Sequence, residues 1–367
     1  MAYLERTPAR PAPVRLALIG SGWIGAFHAE SAATRIAGTR VEAIADPALD
    51  AAAVLADRLG VAKVTADAAD LWSDPDVDGV IIAAPARFHS SLIAQAAAAG
   101  KHVFCEKPAA RTVEELDGAL AAVESAGVEL QIGFNRRFAA DFASAKRKVE
   151  AGTIGEPRLL RSLTRDPGTA EGIPNAGRIP AGTIFLETLI HDFDTLNWFN
   201  HGALPEQVHV MADALVEPGL KDQGFLDTAV ATIRYSNGAI AVAEANFSAL
   251  YGYDVRGEVF GSAGMVTAGS LQETAATAYT GQGFSGDTPR LNVELFHDAY
   301  TAELAHFAEL VRSRRDGTPR PPAAAPGGAD ARAALAVALA CIKSVETGGT
   351  VNISDVAALS SSPAAAR

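Results

Sequence analysis

The sequence predicts an α/β protein with a doubly wound parallel sheet in its first part and an α+β domain with an antiparallel sheet in its second. Three observations carry that reading. Short β-prone runs alternate with helical stretches as far as residue 136, which is the pattern of βαβ units. The run "GSGWIG" at 20–25 sits between a strand and a helix, where three glycines permit a tight turn. After residue 136 the rhythm changes, and "TAVATIRYS" and "AIAVAEANFS" flank Asn237 and Gly238, a strong hairpin signal. A chain of 367 residues is long for one core and fits two domains.

Taken in order, "VRLALI" at 14–19 is the first strand, and a helix follows the glycine turn. "VEAIAD" at 41–46 is the second strand; in the next helix Pro47 suits the first turn and Gly60 the C-terminal cap. Strands at 78–85, 101–108 and 128–134 alternate with helices at 89–100 and 112–127. These elements make a first domain of residues 14–136. The second, residues 137–358, opens with the helical "DFASAKRKVEAG", continues through the hairpin, and ends with a Pro-rich connector at 318–330 and a last helix, "ARAALAVALACIKSVETG". Residues 1–13 and 359–367 read as disordered flanks.

Composition removes several function classes. Lys and Arg total 31 against 43 Asp and Glu, a net charge of -12, and no basic run exceeds "KRK" at 146–148, so nucleic acid is not an expected partner. Cys105 and Cys341 form no disulfide framework and have no metal-ligand spacing, which fits a reducing compartment, the cytoplasm. Prolines and arginines interrupt the N-terminus where a signal peptide needs an apolar run, and no uninterrupted apolar stretch approaches a membrane span of about 18 residues.

The glycine turn carries the first chemistry. Gly20, Gly22 and Gly25, with Trp23 and Ile24 between them, allow backbone to approach a pyrophosphate, and the following helix presents free N–H groups and a positive dipole end. A lone motif of this kind is weak, but Asp46 ends the second strand 21 residues after Gly25, where a carboxylate accepts hydrogen bonds from an adenosine ribose. That carboxylate would repel the 2'-phosphate of NADP, and no nearby Arg or Lys offsets it, so NAD is the expected cofactor and NADP the lesser one.

Two further stretches hold polar groups at telling places. "FCEKP" at 104–108 puts Lys107 at the carboxyl end of a strand, where ligands of open α/β sheets gather, although a surface Glu-Lys pair has the same spacing. In "FLETLIHDFD" at 185–194, ideal helical geometry gathers Leu186, Leu189, Ile190, Phe193 and Leu196 on one side and Glu187, His191, Asp194 and Trp198 on another. The "HDFD" run lacks converging ligands for a metal, so none is expected. His28, His102, His201, His209, His297 and His306 stand alone and read as structural or solvent-facing.

In combination, "GSGWIG", Asp46, "APARFH", "EKP", "GFNRRF" and "IHDFD" occur in an order that resembles the glucose-fructose oxidoreductase, inositol dehydrogenase and rhizopine catabolism family, Gfo/Idh/MocA. The resemblance spans about residues 14 to 355. It implies an N-terminal Rossmann domain and a C-terminal domain with a large, mostly antiparallel open sheet that builds homodimers or homotetramers. Reversible hydride transfer between NAD(P) and a sugar, polyol or related secondary alcohol is the implied activity. Lys107 matches a lysine that contacts substrate near the nicotinamide, His191 a histidine that takes or relays the hydroxyl proton, and Pro85, His89 and Glu106 positions lining the nicotinamide end.

"LETLIHDFDTLNWF", "TRDP" at 164–167 and "YGYDVRGEVFGSAG" at 251–264 look most like the inositol dehydrogenase branch and imply Asp166 and Tyr253 as substrate contacts. Two departures bear on the substrate. Glu187 stands where that branch usually has aspartate, and Thr164-Arg165-Asp166-Pro167 replaces a usual His-Arg-Asn-Pro. Lys107, His191 and Glu187 are the candidate catalytic set, with Glu187 orienting His191 or a substrate hydroxyl. Another sugar ring on the same fold is the alternative substrate; a non-catalytic dinucleotide sensor is the alternative of a different class.

Overall fold

A computed structural model describes residues 12–321 and 325–357. The expected disordered tail 359–367 and residues 1–11 of the leading segment lie outside the described residues. The Ala12 and Pro13 carbonyls accept hydrogen bonds from Arg315 at 2.7 and 2.9 Å.

The first half runs β1 (Val14–Ile19), α1 (Trp23–Glu30), β2 (Thr39–Ala45), α2 (Leu49–Leu59), β3 (Lys63–Thr65), β4 (Gly79–Ile82), α3 (His89–Ala98), β5 (His102–Cys105), α4 (Val113–Ala126) and β6 (Leu130–Ile132). Among the described residues these strands form a six-stranded parallel sheet in the order β3-β2-β1-β4-β5-β6. Both faces are covered, so β1 and β4 are near-continuous apolar runs with Leu16, Leu18, Ile81 and Ile82 fully buried. The strand order reverses between β1 and β4, and a crevice opens at the carboxyl ends there.

Gly60 caps α2 in the left-handed conformation as expected, whereas Pro47 precedes the helix instead of opening it. Asp46 explains the shift. Its Oδ1 accepts the Ala48 N–H at 2.8 Å, and this turn delays the helix to Leu49.

The second half runs α5 (Ala140–Glu150), β7 (Pro157–Arg165), α6 (Leu189–Phe199), β8 (Pro205–Asp213), β9 (Thr228–Tyr235), β10 (Ile240–Asn246), β11 (Asp254–Gly261), β12 (Met265–Ala268), β13 (Ala278–Thr280), β14 (Gly283–Ser285), α7 (Asn292–Leu295), α8 (His297–Asp316), α9 (Gly328–Thr347) and β15 (Val351–Asn352). Its seven-stranded sheet has the order β12-β11-β7-β10-β9-β8-β15 and is antiparallel except for the β7-β10 pair. The Asn237-Gly238 turn joins β9 to β10 as its residues require, with Gly238 at φ +85°. Helices α6 and α9 pack together, α6 against β7 and β10 and α9 against β8.

Two elements late in the chain return to the first sheet. Helix α8 buries Leu304, Phe307 and Val311 with Val14, Leu16, Leu18 and Phe104 of β1 and β5. Pro326, in the Pro-rich connector, accepts the Ile132 N–H at 2.8 Å beside β6.

"GFNRRF" and "IHDFD" meet at the junction of the two halves. Asp192 is fully buried and accepts from Arg136 at 2.8 Å, Ser162 at 2.5 Å and Thr164 at 2.6 Å. Beside it, Asp194 accepts from Arg137 Nε at 2.9 Å. Asp194 therefore lies in an ion pair with Arg137, away from the cleft lined by Glu187 and His191. Removing one partner of a buried pair leaves the other charge uncompensated, so Asp192→Ala should lose about 3–5 kcal/mol of stability, read from urea denaturation. Replacing Arg136 and Asp192 together by apolar residues should recover much of that loss; an unchanged midpoint for Asp192→Ala would remove the pair from the stability account.

Candidate active site

A cleft of about 900 Å³ opens at the carboxyl ends of β4 and β5 and runs between the two sheets. Trp23, Ile24, Pro85, His89, Glu106 and Lys107 line it from the first half, and Thr164, Asp166, Glu187, His191 and Tyr253 from the second. The sequence-derived residues thus converge, apart from Gly20, Gly22, Gly25 and Asp46, which form the glycine turn beyond these walls. Arg136, Asn292 and Tyr300 also line the cleft without having been assigned a contact from sequence. The doubled arginine of "GFNRRF" facing the alternating aspartates of "IHDFD" was the available signal for Arg136.

The glycines differ in what they permit. A Cβ on Gly20, at φ +97°, would sit 2.7 Å from the Ala83 and Ala84 backbone, and one on Gly25 would meet the Gly20 carbonyl at 2.0 Å. Gly22 has nothing within 4 Å, so open space lies over the start of α1, where backbone can approach a diphosphate. Asp46 closes the turn through Ser21, accepting its N–H at 2.6 Å and its hydroxyl at 2.9 Å. Burial opposes ionisation of Asp46, but hydrogen bonds from Ser21 and Ala48 outweigh it and hold the carboxyl below its ordinary value. A charged acceptor at the end of β2 and an open cradle fit a dinucleotide.

Lys107 reaches across the cleft, donating from Nζ to the Glu187 backbone carbonyl at 2.9 Å. Its own N–H donates to Glu106 Oε2 at 3.2 Å. His89 is buried, with Nδ1 at 2.8 Å from the Pro108 carbonyl and Nε2 at 2.6 Å from that of Ala84, so its ring ties two wall segments together.

The helix carrying Glu187 and His191 is not regular: a wider π-type turn over Ile184–Thr188 precedes α6. Glu187 is exposed to the cleft, and no hydrogen bond joins it to His191 among the described residues. His191 Nδ1 is buried without a hydrogen-bond partner. Burial, with the positive charges of Lys107 and Arg136, holds this imidazole well below its ordinary value. His191 is therefore neutral near pH 7 and able to accept a proton.

Asp166 has the opposite environment. Burial pushes its carboxyl up to about 6 against the lowering influence of Tyr253, Lys107 and Arg136, and its Oδ1 has no partner. Asp192 and Asp194 are engaged by arginines, and Asp166 borders the cleft.

Residues 14–134 match the model of the Gfo/Idh/MocA oxidoreductase family with an NAD-binding Rossmann fold, and residues 142–267 match the family's C-terminal domain. The chain belongs to the Gfo/Idh/MocA oxidoreductase family. Scyllo-inositol 2-dehydrogenase (NAD(+)) of Bacillus subtilis is 36% identical over 82% of this chain and 86% of its own. Myo-inositol 2-dehydrogenase of Thermotoga maritima is 36% identical over 94% of this chain and 99% of its own. A crystal structure of scyllo-inositol dehydrogenase from Lactobacillus casei with bound NAD(H) and scyllo-inositol is 28% identical and superposes with a TM-score of 0.86, covering 93% of this chain and 99% of that one.

This Gfo/Idh/MocA oxidoreductase has a Rossmann half that takes NAD and a cleft wall supplied by the second sheet. Among the described residues no helix is long and apolar enough to cross a membrane. Asp166 should gain a proton as pH falls through about 6, since burial raises its pKa and the charged form is lost there. A fall of kcat/KM through that pH, removed in Asp166→Asn, is the expected profile; a wild-type profile flat between about pH 7 and 5 would deny Asp166 a charge role.

Proposed function

We propose that this chain is an NAD-dependent dehydrogenase of a secondary alcohol on a cyclic polyol, of the inositol 2-dehydrogenase type. The observation that carries the reading is the pairing, on one cleft, of a neutral His191 with the Lys107 ammonium at the carboxyl end of β5. NAD, when bound, accepts or returns the hydride. Gly20, Gly22 and Gly25 would hold its diphosphate, Asp46 its adenosine ribose, and Trp23, Ile24, Pro85 and Glu106 the walls towards its nicotinamide; Asp46 disfavours the 2'-phosphate of NADP.

His191 accepts the hydroxyl proton in oxidation and returns it in reduction. Lys107 donates a hydrogen bond to the same oxygen and favours its developing negative charge, after exchanging the Glu187 carbonyl for substrate. Asp166 and Tyr253 contact neighbouring ring hydroxyls. Glu187, exposed to the cleft and unbonded to His191, fits better as a contact to a substrate hydroxyl than as the group that orients the imidazole.

Residues 14–136 serve as the cofactor half and residues 137–358 as the substrate and assembly half in this reading. The outer face of the second sheet carries an in-register apolar row, Met265, Phe260, Leu159 and Ile240, across β12, β11, β7 and β10. These side chains are 44% to 54% exposed, a row that fits burial against a second copy in a homodimer or homotetramer. The buried free thiols of Cys105 and Cys341 fit a cytoplasmic enzyme.

A panel of inositols, anhydrosugars and glycosides with NAD and NADP tests the activity through NADH or NADPH formation. The enzyme should prefer an inositol with NAD, and Lys107→Ala should lose about 100-fold or more in kcat while keeping NAD affinity. NAD binding without turnover on any panel member would favour the sensor, and turnover only on another ring would move the substrate. For assembly, Phe260→Glu should lower the mass measured by light scattering to a smaller species, while a monomeric wild type would leave the apolar row without a partner of its own kind.

A further inference from the structure

Beneath the lysine turn, three acid-base side chains from separate elements meet out of contact with solvent. His28 of α1 and Glu303 of α8 have no exposed surface, and Glu106 is 7% exposed. His28 Nε2 lies 2.8 Å from Glu106 Oε1, and one atom from each of the three residues falls within 4.8 Å of the others. An ionised Glu106 only accepts, so the His28 proton lies on Nε2 and is donated to it. Glu106 Oε2 accepts the Lys107 N–H. Both carboxyl oxygens of Glu303 lack a hydrogen-bond partner.

An unpaired carboxylate in such a place is disfavoured by several kcal/mol, and the group takes up a proton instead. The groups facing the cluster offer Glu303 no compensating charge. His28 is engaged with Glu106 through Nε2, its Nδ1 being buried without a partner, and Tyr300, one turn earlier on α8, is a neutral phenol. Lys107 and His89 lie on the Glu106 side, while Arg136 and Asp166 act on Tyr300 from the cleft. Gln131 donates its amide to the Glu303 backbone carbonyl at 2.6 Å and not to the carboxyl. A metal ion is a poorer fit, because the ring nitrogen facing Glu106 is already spent on it.

We propose that Glu303 is a neutral acid facing the Glu106 carboxylate, within the 4.8 Å that spans the cluster, and that by leaving the negative charge on Glu106 it acts as a positioning residue for Lys107. The cluster then holds one negative charge, placed on Glu106, which the His28 ring and the Lys107 N–H bond directly. Burial and the neighbouring Glu106 charge push the Glu303 carboxyl well above its ordinary value, in keeping with that arrangement, while His28 and Lys107 hold Glu106 below its own. The cluster brings α8 beside the helix that opens the dinucleotide cradle and beside the lysine turn. Its functional part rests on the dehydrogenase reading above; its protonation part does not.

Infrared difference spectra of the full-length protein in heavy water, taken at about pH 8 to keep Asp166 ionised, test the proton directly. The wild type should show a protonated carboxylic acid band that Glu303→Gln lacks. Glu303→Gln leaves a neutral polar side chain beside Glu106 and should keep kcat within about twofold, whereas Glu303→Leu should lower kcat about tenfold or more with KM for NAD and polyol little changed. Absence of the acid band, a stoichiometric metal in the purified protein, or equal losses in Gln and Leu variants would overturn the proposal. If Glu303→Leu does not fold, the band and the Gln variant decide. A wild type without turnover on any substrate would defeat the dehydrogenase reading while the infrared band still reports on the cluster.

Discussion

The buried contact of Arg136 with Asp192 is the constraint on which the rest of the site depends. Arg136 follows the last strand of the parallel sheet, and Asp192 sits one residue beyond His191 on α6. Ser162 and Thr164 of β7 complete the coordination of the carboxylate. One ionic knot therefore fixes the end of the Rossmann half, the first strand of the second sheet and the helix that presents His191. Because the charges are buried, the arrangement tolerates little slack, and the two sheets, joined by one continuous apolar core, are held about a single cleft.

That knot also shapes the electrostatics of the cleft. Burial, with the ammonium of Lys107 and the guanidinium of Arg136, keeps His191 neutral, and burial keeps Asp166 close to protonation. A neutral imidazole and a poised carboxylate are suited to handling hydroxyl protons, and neither environment comes from the residue's immediate sequence neighbours. The relatives named for myo- and scyllo-inositol show that the overall frame is compatible with more than one ring stereochemistry.

Much of the fold was legible before any coordinates. Alternation of apolar runs with helical stretches, the glycine turn before α1, Gly60 after α2 and the Asn237-Gly238 hairpin each follow from local steric and hydrogen-bonding rules, and the elements lie where those rules put them. Pro47 was misread because a side-chain bond from Asp46 competes with helix initiation. For Asp194, helical periodicity gives an angular position without saying what waits on that side, and Arg137 waits there. The regular helix assumed over residues 185–194 overlooked the π-type turn at Ile184–Thr188, for which the residues carry no local signal.

The sequence by itself determined the dinucleotide cradle and the lysine turn, since each is a short motif whose chemistry depends on spacing along the chain. Only the tertiary structure decided that α8 returns to cover the parallel sheet, that Arg136 neutralises Asp192, and that Glu303 comes to rest beside His28 and Glu106. These are contacts between residues tens to hundreds of positions apart. Local propensity and periodicity act over one or two turns of chain, whereas burial of charge is settled by which distant surfaces close over it.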